Sequence, residues 1–444
     1  MINITEYYID DYYEEEGMYQ ARAVTVMDAR TGFVLYENAQ HELMYPASIT
    51  KIMTALLVIE EVENLQETMV FSEYSVMRLP YYASRLNALP YDTLTVYEAL
   101  YALMLRSGND VANALAEHVS GDITTFVNLM NARAHELGAT NTHFVNPCGL
   151  PGDGQHTTAY DMALIMREAI NHPVFNQVNS AASFFIPPTL ENFVPYGLTI
   201  NNTNLLIQDG DFFNPWVIGG KTGFTNAAQH TLVSHARRGE HDVIVSVLYA
   251  PRRATFTDTT ALLNYTFAMP IKTLYVNESW DLPVIQQIDG IEEEIATITA
   301  VGSNSIRVPM PESAGEISTE VTIADYLTPP VREGDVIGQK SFFAGDTFIA
   351  SIDIVSLNSV FRHDTTQQAT VVAPSSETLE GINLQTAFSF FAFLSVVTFV
   401  ILGVLVLTTR RRRRAMYLRR MKLNRRRMQR AEYARRYQQD RRIG

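Results

Sequence analysis

Three short motifs carry hydroxyl, amine and amide side chains at spacings that suit acyl transfer. In the first, SITK at residues 48–51, a helix beginning near Ser48 would place Lys51 one turn further along the same face. The residues that follow are apolar almost all round, which predicts a buried helix. Burial disfavours a charged lysine and can make it a base that activates the serine as a nucleophile. Alone, the pattern also fits an N-cap serine followed by an ordinary surface lysine.

The second motif, Ser107-Gly108-Asn109, lies between two segments with helical periodicity. Its hydroxyl could relay a proton, and its carboxamide could hold a substrate amide. Alone, it also fits a helix end followed by an Asn cap.

The third motif is the tetrapeptide KTGF at residues 221–224, which precedes two strand-like segments. Gly-Lys-Thr is typical of a phosphate-binding loop, but that loop needs a glycine six residues before the lysine, where this chain has Pro215. We therefore expect no nucleotide site. On a strand edge, Lys221 and Thr222 offer a cation and a hydroxyl to a carboxylate. Gly223 would let a substrate backbone lie close to the strand.

The sequence gives no support for a metal site or a disulfide framework. None of the ten histidines has a metal-binding spacing, and Cys148 is the single cysteine. We expect neither a metal ion nor an organic cofactor.

Charge is strongly segregated along the 444 residues. Residues 410–444 contain sixteen Lys/Arg and two acidic residues, a net charge of +14, whereas residues 1–409 carry a net charge of −28. Between them, residues 387–407 are 21 consecutive uncharged residues, long enough as a helix to cross the roughly 30 Å hydrocarbon core of a bilayer. The arginines that follow predict a cytoplasmic tail and an extracytoplasmic body. We interpret the tail as an orientation signal in contact with anionic lipid, and expect no nucleic acid partner.

The first 20 residues contain six acidic residues, no Lys or Arg and no apolar core, so they are not a signal peptide. Either the natural chain begins upstream of Met1, which we favour, or the C-terminal span directs export. The patterns predict six segments: an acidic arm (1–20), a catalytic domain (21–270), a small all-β domain (271–360), a stalk (361–386), a transmembrane helix (387–407) and a basic tail (408–444).

The three motifs together resemble a known enzyme signature. Ser-x-x-Lys, Ser-Asp-Asn and Lys-Thr-Gly, in this order, mark class A β-lactamases and penicillin-binding proteins. With Ser-Gly-Asn in the middle, the chain resembles the serine-type D-alanyl-D-alanine carboxypeptidases, which are low-molecular-mass penicillin-binding proteins. The likeness covers roughly residues 21–270 and includes these stretches: PASITKIMTALL, SGNDVANALAEHVSG, FVNLMNARAHELGATNTHFVNPCGL, TTAYDMALI, NNTNLL and GGKTGFTNAA.

The resemblance implies a fold and a set of partners. The fold would be an α/β (α+β) transpeptidase-like or β-lactamase-like domain, an antiparallel sheet flanked by helices. A mostly helical insertion would carry the second motif, and the sheet edge would carry the third. A small all-β domain and a C-terminal transmembrane helix would follow. The partners would be peptidoglycan stem peptides as substrate, β-lactams as covalent inhibitors and the membrane.

The resemblance also implies a role for each motif residue. Ser48 would be the acyl-ester nucleophile and Lys51 its proton acceptor, with Ser107 relaying a proton and Asn109 holding the substrate amide. Lys221, Thr222 and Gly223 would bind the substrate and its terminal carboxylate, and the backbone N–H groups of Ser48 and Phe224 would stabilise the oxyanion.

The chain departs from the family pattern at two positions. Cys148 stands where the family more often has histidine, in a loop to which we assign no chemistry, and Phe224 replaces the His or Tyr of some relatives. Two alternatives to the carboxypeptidase stay open. One is a β-lactamase, although we identify no glutamate placed to hold a deacylating water. The other is a catalytically idle wall-binding protein of the same fold, although it would not need all three motifs intact.

Overall fold

The computed structural model describes residues 19–188, 197–288 and 290–362, which belong to one compact unit. The acidic arm up to residue 18, the stalk beyond residue 362, the apolar span at 387–407 and the basic tail lie outside these described residues. Within the described ranges, no helix is long and apolar enough to cross a membrane.

The described elements alternate between helices and strands up to residue 267 and are almost entirely strands afterwards. In chain order, the first group comprises β1 (Ala23–Asp28), β2 (Val34–Asn38), α1 (Lys51–Glu61), β3 (Thr68–Val70), α2 (Glu73–Met77), β4 (Thr93–Thr95), α3 (Val96–Leu105), α4 (Asn109–Ser120), α5 (Ile123–Glu136), α6 (Ala159–Ala169), α7 (Pro173–Asn179), β5 (Ser183–Ile186), β6 (Leu198–Asn201), β7 (Val217–Thr225), β8 (Gln229–Arg238), β9 (His241–Ala250) and α8 (Ala254–Phe267). The second group comprises β10 (Ile271–Tyr275), β11 (Ser279–Ile288), β12 (Ile291–Gly302), β13 (Ser305–Pro309), β14 (Ile317–Ile323), β15 (Val336–Ala344) and β16 (Thr347–Ser356). Short 3₁₀ turns cover Ala47–Thr50, Leu205–Ile207 and Glu312–Ala314.

The first group is built on a five-stranded antiparallel sheet in the order β2-β1-β9-β8-β7. Every residue of β1 is buried, and eight of the first nine residues of β9 are buried as well, as expected for strands covered on both faces. Most of the described elements between β2 and β7 are helices, α1 to α7, together with the short strand pairs β3-β4 and β5-β6. The predicted antiparallel sheet with a helical insertion is therefore confirmed, and Lys221 lies on β7 at one edge of this sheet.

Helix α1 lies at the centre of the core on one face of the sheet. Its residues from Lys51 to Val58 are all buried, and their apolar side chains pack in one cluster with those of α3, α4 and α6. The predicted burial of this helix is confirmed. Neighbouring helices have well-formed ends: Thr95 makes a capping box with Glu98 at the start of α3, and Gly121 ends α4 in the left-handed conformation.

The second group forms a two-stranded pair, β10 with β13, and a five-stranded antiparallel sheet in the order β11-β12-β16-β15-β14. Strands therefore make up most of residues 271–360, for which the sequence predicts a β-rich region. The second apolar cluster contains sheet residues such as Val245 and Val247 together with Leu274, Val308 and Ile352 from the β-rich part. The division at residue 270 into separately folding domains stays a prediction.

Candidate active site

A 3₁₀ turn that runs directly into α1 holds the first motif. Ser48 lies in the turn and is half-buried, whereas Lys51 is the first residue of α1 and is completely buried. The Lys51 Nζ lies 3.1 Å from the Ser48 Oγ. The helix predicted to begin near Ser48 thus brings the two side chains into hydrogen-bond contact.

Two further acceptors fix the amine of Lys51. Its Nζ donates to the Asn109 Oδ1 at 2.6 Å and to the backbone carbonyl of Cys148 at 2.7 Å. A neutral amine has two N–H groups and one lone pair, and neither of these oxygens can donate a hydrogen bond. When Lys51 is neutral, its two N–H groups are used by these acceptors, so the lone pair is left to accept the Ser48 hydroxyl proton.

Burial also makes Lys51 easier to deprotonate. Loss of hydration lowers its pKa to about 8, and the nearby Cys148 and Asp110 oppose this only in part. Lys51 can consequently act as a base close to neutral pH.

The Asp110 carboxylate accepts the backbone N–H groups of Leu86 and Asn87 at 2.9 Å each, so it makes direct contacts with the loop before β4.

The second motif joins α3 to α4 and contacts Lys51 through Asn109. Ser107 has a positive φ of 59°, a conformation uncommon for a residue with a side chain. Its Oγ is buried and has no hydrogen-bond partner among the described residues. Asn109 begins α4 and is buried. The loop thus holds the Asn109 carboxamide on the Lys51 amine and leaves a hydroxyl whose proton can be exchanged.

The third motif places the edge of β7 beside the nucleophile. A Cβ added to Gly223 would lie 2.8 Å from the Ser48 backbone nitrogen and 2.4 Å from the Thr231 Oγ1, so any larger residue would push the strand away. Thr231 in turn donates to the backbone carbonyl of Pro46 at 3.1 Å. These contacts bring the backbone of residues 223–224 close to that of Ser48, where two N–H groups can face one oxyanion.

Lys221 is completely buried on the same strand, and its Nζ donates to the backbone carbonyl of Thr222 at 2.8 Å. Loss of hydration, together with repulsion from Lys51, lowers the pKa of Lys221 well below its usual value. An incoming anion would favour the charged form of Lys221. The Thr222 Oγ1 lies 2.6 Å from that of Thr203, so two hydroxyls stand together at this strand edge.

Phe224 differs from the other motif residues because its side chain is exposed. The ring is about half accessible and packs on His230 of β8 with 4.5 Å between ring centroids. Burial and then the charge of Arg252 lower the pKa of His230, which favours its neutral form. The side chain of Phe224 therefore lies on the surface.

Three contributions to the site escape the sequence analysis. The loop around Cys148, to which we assigned no chemistry, contacts the Lys51 amine through a main-chain carbonyl, and a carbonyl leaves no residue-type signal. The Thr203 hydroxyl contacts that of Thr222. The stretch NNTNLL, which contains Thr203, indicates only the family resemblance and assigns this threonine no role. Asp110 follows the second motif directly and anchors the neighbouring loop.

Among the described residues, one group has donor atoms close enough together to hold a metal ion, and it comprises Glu60, Glu168 and His172. The Arg133 guanidinium already bridges both carboxylates, at 2.8 Å from Glu60 and 3.0 Å from Glu168. The guanidinium therefore offsets one of the two carboxylate charges, and the cluster does not include any motif residue.

Comparisons with known proteins agree with this arrangement. The D-alanyl-D-alanine carboxypeptidase family Peptidase_S11 matches residues 12–252. The D-alanyl-D-alanine carboxypeptidase DacF of Bacillus subtilis is 28% identical over 73% of this chain and 81% of its own length. DacB2 of Mycobacterium tuberculosis is 34% identical over 52% of this chain and 75% of its own.

Solved structures are similar as well. DacD from Francisella tularensis is 26% identical with a TM-score of 0.56, over 77% of this chain and 94% of its own. PBP3 from Streptococcus pneumoniae is 25% identical with a TM-score of 0.63, over 77% of this chain and 99% of its own. Since the family match spans more than half of the chain and contains all three motifs, this protein belongs to the Peptidase_S11 family of D-alanyl-D-alanine carboxypeptidases.

Proposed function

We propose that this protein is a serine-type D-alanyl-D-alanine carboxypeptidase that removes the terminal D-Ala from peptidoglycan stem peptides. The observation that carries the proposal is the geometry of Lys51, whose two N–H acceptors leave its lone pair for Ser48. This arrangement supports a hydroxyl nucleophile with its own base, which is the requirement for an acyl-enzyme mechanism.

In the acylation step, the Ser48 Oγ attacks the carbonyl carbon of the penultimate D-Ala while Lys51 takes the hydroxyl proton. The carbonyl oxygen becomes an oxyanion that accepts hydrogen bonds from the backbone N–H groups of Ser48 and Phe224. The close approach of Gly223 to the Ser48 nitrogen supports this pairing.

Collapse of the tetrahedral intermediate breaks the peptide bond and releases the terminal D-Ala. Its leaving nitrogen receives a proton that Ser107 passes on from Lys51, which restores the neutral amine. The Asn109 carboxamide accepts a hydrogen bond from Lys51 through its oxygen, and it also holds the substrate amide. Water then adds to the ester, one proton returns to Ser48, and the shortened stem peptide leaves as a carboxylic acid.

The terminal carboxylate of the substrate is bound by Lys221 and Thr222, and the proximity of Thr203 supports a third contact. Binding the carboxylate returns Lys221 to its charged form, because the anion compensates for its lost hydration. A site of this kind accepts only substrates with a free C-terminus at this position, which accounts for a carboxypeptidase. The same groups would accept the carboxylate of β-lactams, which then acylate Ser48 as covalent inhibitors.

Membrane attachment completes the proposal. The apolar residues 387–407 and the +14 tail support a single-pass anchor with the catalytic domain outside, the C-terminus inside and the tail on anionic lipid. Protease added to intact cells should cut within residues 361–386 and leave a protected tail. Labelling of the tail from outside the cell would contradict this topology.

Turnover of a peptide ending in D-Ala-D-Ala tests the activity. Wild-type protein should release one D-Ala per peptide, as measured by mass spectrometry, and the Ser48→Ala variant should release none. Stoichiometric labelling by penicillin without repeated hydrolysis is also expected. Rapid cleavage of many penicillins per protein without peptide turnover would favour the β-lactamase. Absence of both peptide turnover and penicillin cleavage would favour the idle wall-binding protein.

A further inference from the structure

The loop at residues 146–150 is held together by a single side chain. The Asn146 Oδ1 accepts the backbone N–H groups of Cys148, Gly149 and Leu150 at 3.2, 2.7 and 3.1 Å, and also the Cys148 thiol at 3.2 Å. The Asn146 Nδ2 donates to the Leu150 carbonyl at 2.8 Å. Asparagine suits this position because it accepts and donates from the same side chain.

This loop packs against the helix that carries the nucleophile and its base. The Pro147 carbonyl accepts the Thr54 hydroxyl at 2.6 Å, and the Cys148 carbonyl accepts the Lys51 Nζ at 2.7 Å. Gly149, with a φ of +84°, lies so close to the 3₁₀ turn that an added Cβ would fall 1.8 Å from the Ala47 carbonyl oxygen. Successive residues of the loop therefore contact the turn and the first turn of α1.

We propose that Asn146 is a positioning residue that aims the lone pair of Lys51 at Ser48 by holding the Cys148 carbonyl in place. The inference rests on the proposed function of this site. Asn146 acts through the loop, because its amide bonds to the N–H groups on either side of that carbonyl and not to Lys51.

The number of hydrogen bonds that Lys51 can make explains why the Cys148 carbonyl affects the direction of its lone pair. With both acceptors present, the neutral amine presents its lone pair to Ser48. If the Cys148 carbonyl moves away, one N–H group loses its acceptor inside a buried site, and the Ser48 oxygen becomes its nearest alternative. The amine then donates to the hydroxyl that it should deprotonate, so acylation slows while the carboxylate site on β7 is unaffected.

Two variants of Asn146 test the proposal in the full chain, with penicillin as the probe. Asn146→Leu keeps much of the shape but removes both functions of the amide. The acylation rate constant at saturating penicillin should fall by roughly 10-fold, the effect of one misplaced hydrogen bond to a reacting group, and the half-saturating concentration should hardly change. Asn146→Asp keeps the acceptor of the three N–H groups and loses only the bond to the Leu150 carbonyl, so it should recover most of the rate at a pH high enough to deprotonate Lys51.

The pH profile separates positioning from a general loss of structure. A carboxylate at position 146 adds a negative charge near Lys51 and favours its ammonium form. The pH at which acylation becomes half-maximal should therefore rise in Asn146→Asp. An unchanged profile in this variant would overturn the proposal, even if Asn146→Leu fails to fold.

A double-mutant cycle with Lys51→Ala completes the test. If Asn146 acts through Lys51, then Asn146→Leu should not slow the residual acylation of Lys51→Ala any further. An equal loss in both backgrounds would mean that Asn146 merely maintains the fold, and wild-type acylation by Asn146→Leu would also refute the role. Failure of the wild-type protein to be acylated at Ser48 would instead refute the proposed function.

Discussion

The Lys51 Nζ lies 3.1 Å from the Ser48 Oγ at the junction of a 3₁₀ turn and a fully buried helix. The junction matters because it exposes the serine partly while it buries the lysine completely. The base thus loses its hydration and part of its basicity, whereas the nucleophile stays open to a substrate.

Ser48→Ala should abolish both penicillin labelling and peptide hydrolysis while the fold survives. The substitution removes the only side-chain atom that can carry the acyl group, and it deletes one half-buried oxygen. Mass spectrometry of proteolysed, penicillin-treated protein should place the wild-type adduct on the peptide that contains Ser48. Ser303→Ala, at an exposed serine of the β-rich part, is the matched control and should label normally. An adduct on any other peptide would refute the mechanism.

Acylation should speed up as the pH rises through about 8, because the free amine of Lys51 is the reactive form and its pKa is lowered to about 8 by burial. Stopped-flow labelling between about pH 6 and pH 10 should show a rising limb that levels off above the pKa. Lys51→Ala should slow acylation and lack the rise through about pH 8, and hydroxide should restore part of the rate only at the alkaline end of the range. A pH-independent wild-type rate would contradict the assignment of Lys51 as base.

Lys221→Ala should weaken penicillin binding without removing the nucleophile. A lost charge-assisted contact costs about 1.5–3 kcal/mol, which corresponds to a roughly 10- to 150-fold rise in the half-saturating concentration. Labelling should persist at high penicillin concentration. Lys340→Ala is a matched control, since Lys340 is also a buried lysine but pairs with Glu278 in the β-rich part. An unchanged half-saturating concentration for Lys221→Ala would exclude Lys221 from the carboxylate site.

Asp258 should make the protein less stable as the pH rises from about 4 to about 6. Burial raises its pKa to about 6, although it accepts the N–H groups of Gln20 and Ala21. The folded state therefore binds this proton more tightly than the unfolded chain, and the stabilisation is lost as the pH passes the folded pKa. Urea unfolding of Asp258→Asn should show a weaker decline over this range. An identical pH dependence in variant and wild type would refute the assignment.

A chain truncated after residue 270 should still be acylated by penicillin, but at a lower unfolding temperature. All three motifs precede the cut, whereas apolar residues such as Leu274 and Val308, which share one buried cluster with Val245 and Val247, are removed. Each large side chain that loses its cover costs about 1.5–3 kcal/mol. Circular dichroism and labelling should be measured together, because a folded but unlabelled fragment would contradict the prediction.

The sequence alone predicts the parts of the site that local spacing determines. Ser48 and Lys51 are three residues apart, and helical geometry brings such side chains together whatever surrounds them. The apolar residues after Lys51 predict burial and hence its lowered pKa. The short β-branched runs between residues 271 and 360 predict strands, and the structure has strands there. A sheet edge for Lys221 follows from the family resemblance and is confirmed.

Only the tertiary structure decides how the motifs meet. Asn109 and the Cys148 carbonyl reach Lys51 from 58 and 97 residues away, and Gly223 approaches Ser48 because β7 packs on the 3₁₀ turn. A backbone carbonyl is present at every position, so no residue type marks the one that accepts from Lys51. Thr203 is equally inconspicuous, because a threonine becomes a neighbour of Thr222 only when a loop folds over the strand edge. Long-range packing, which sequence spacing does not encode, therefore gives the lysine amine its direction.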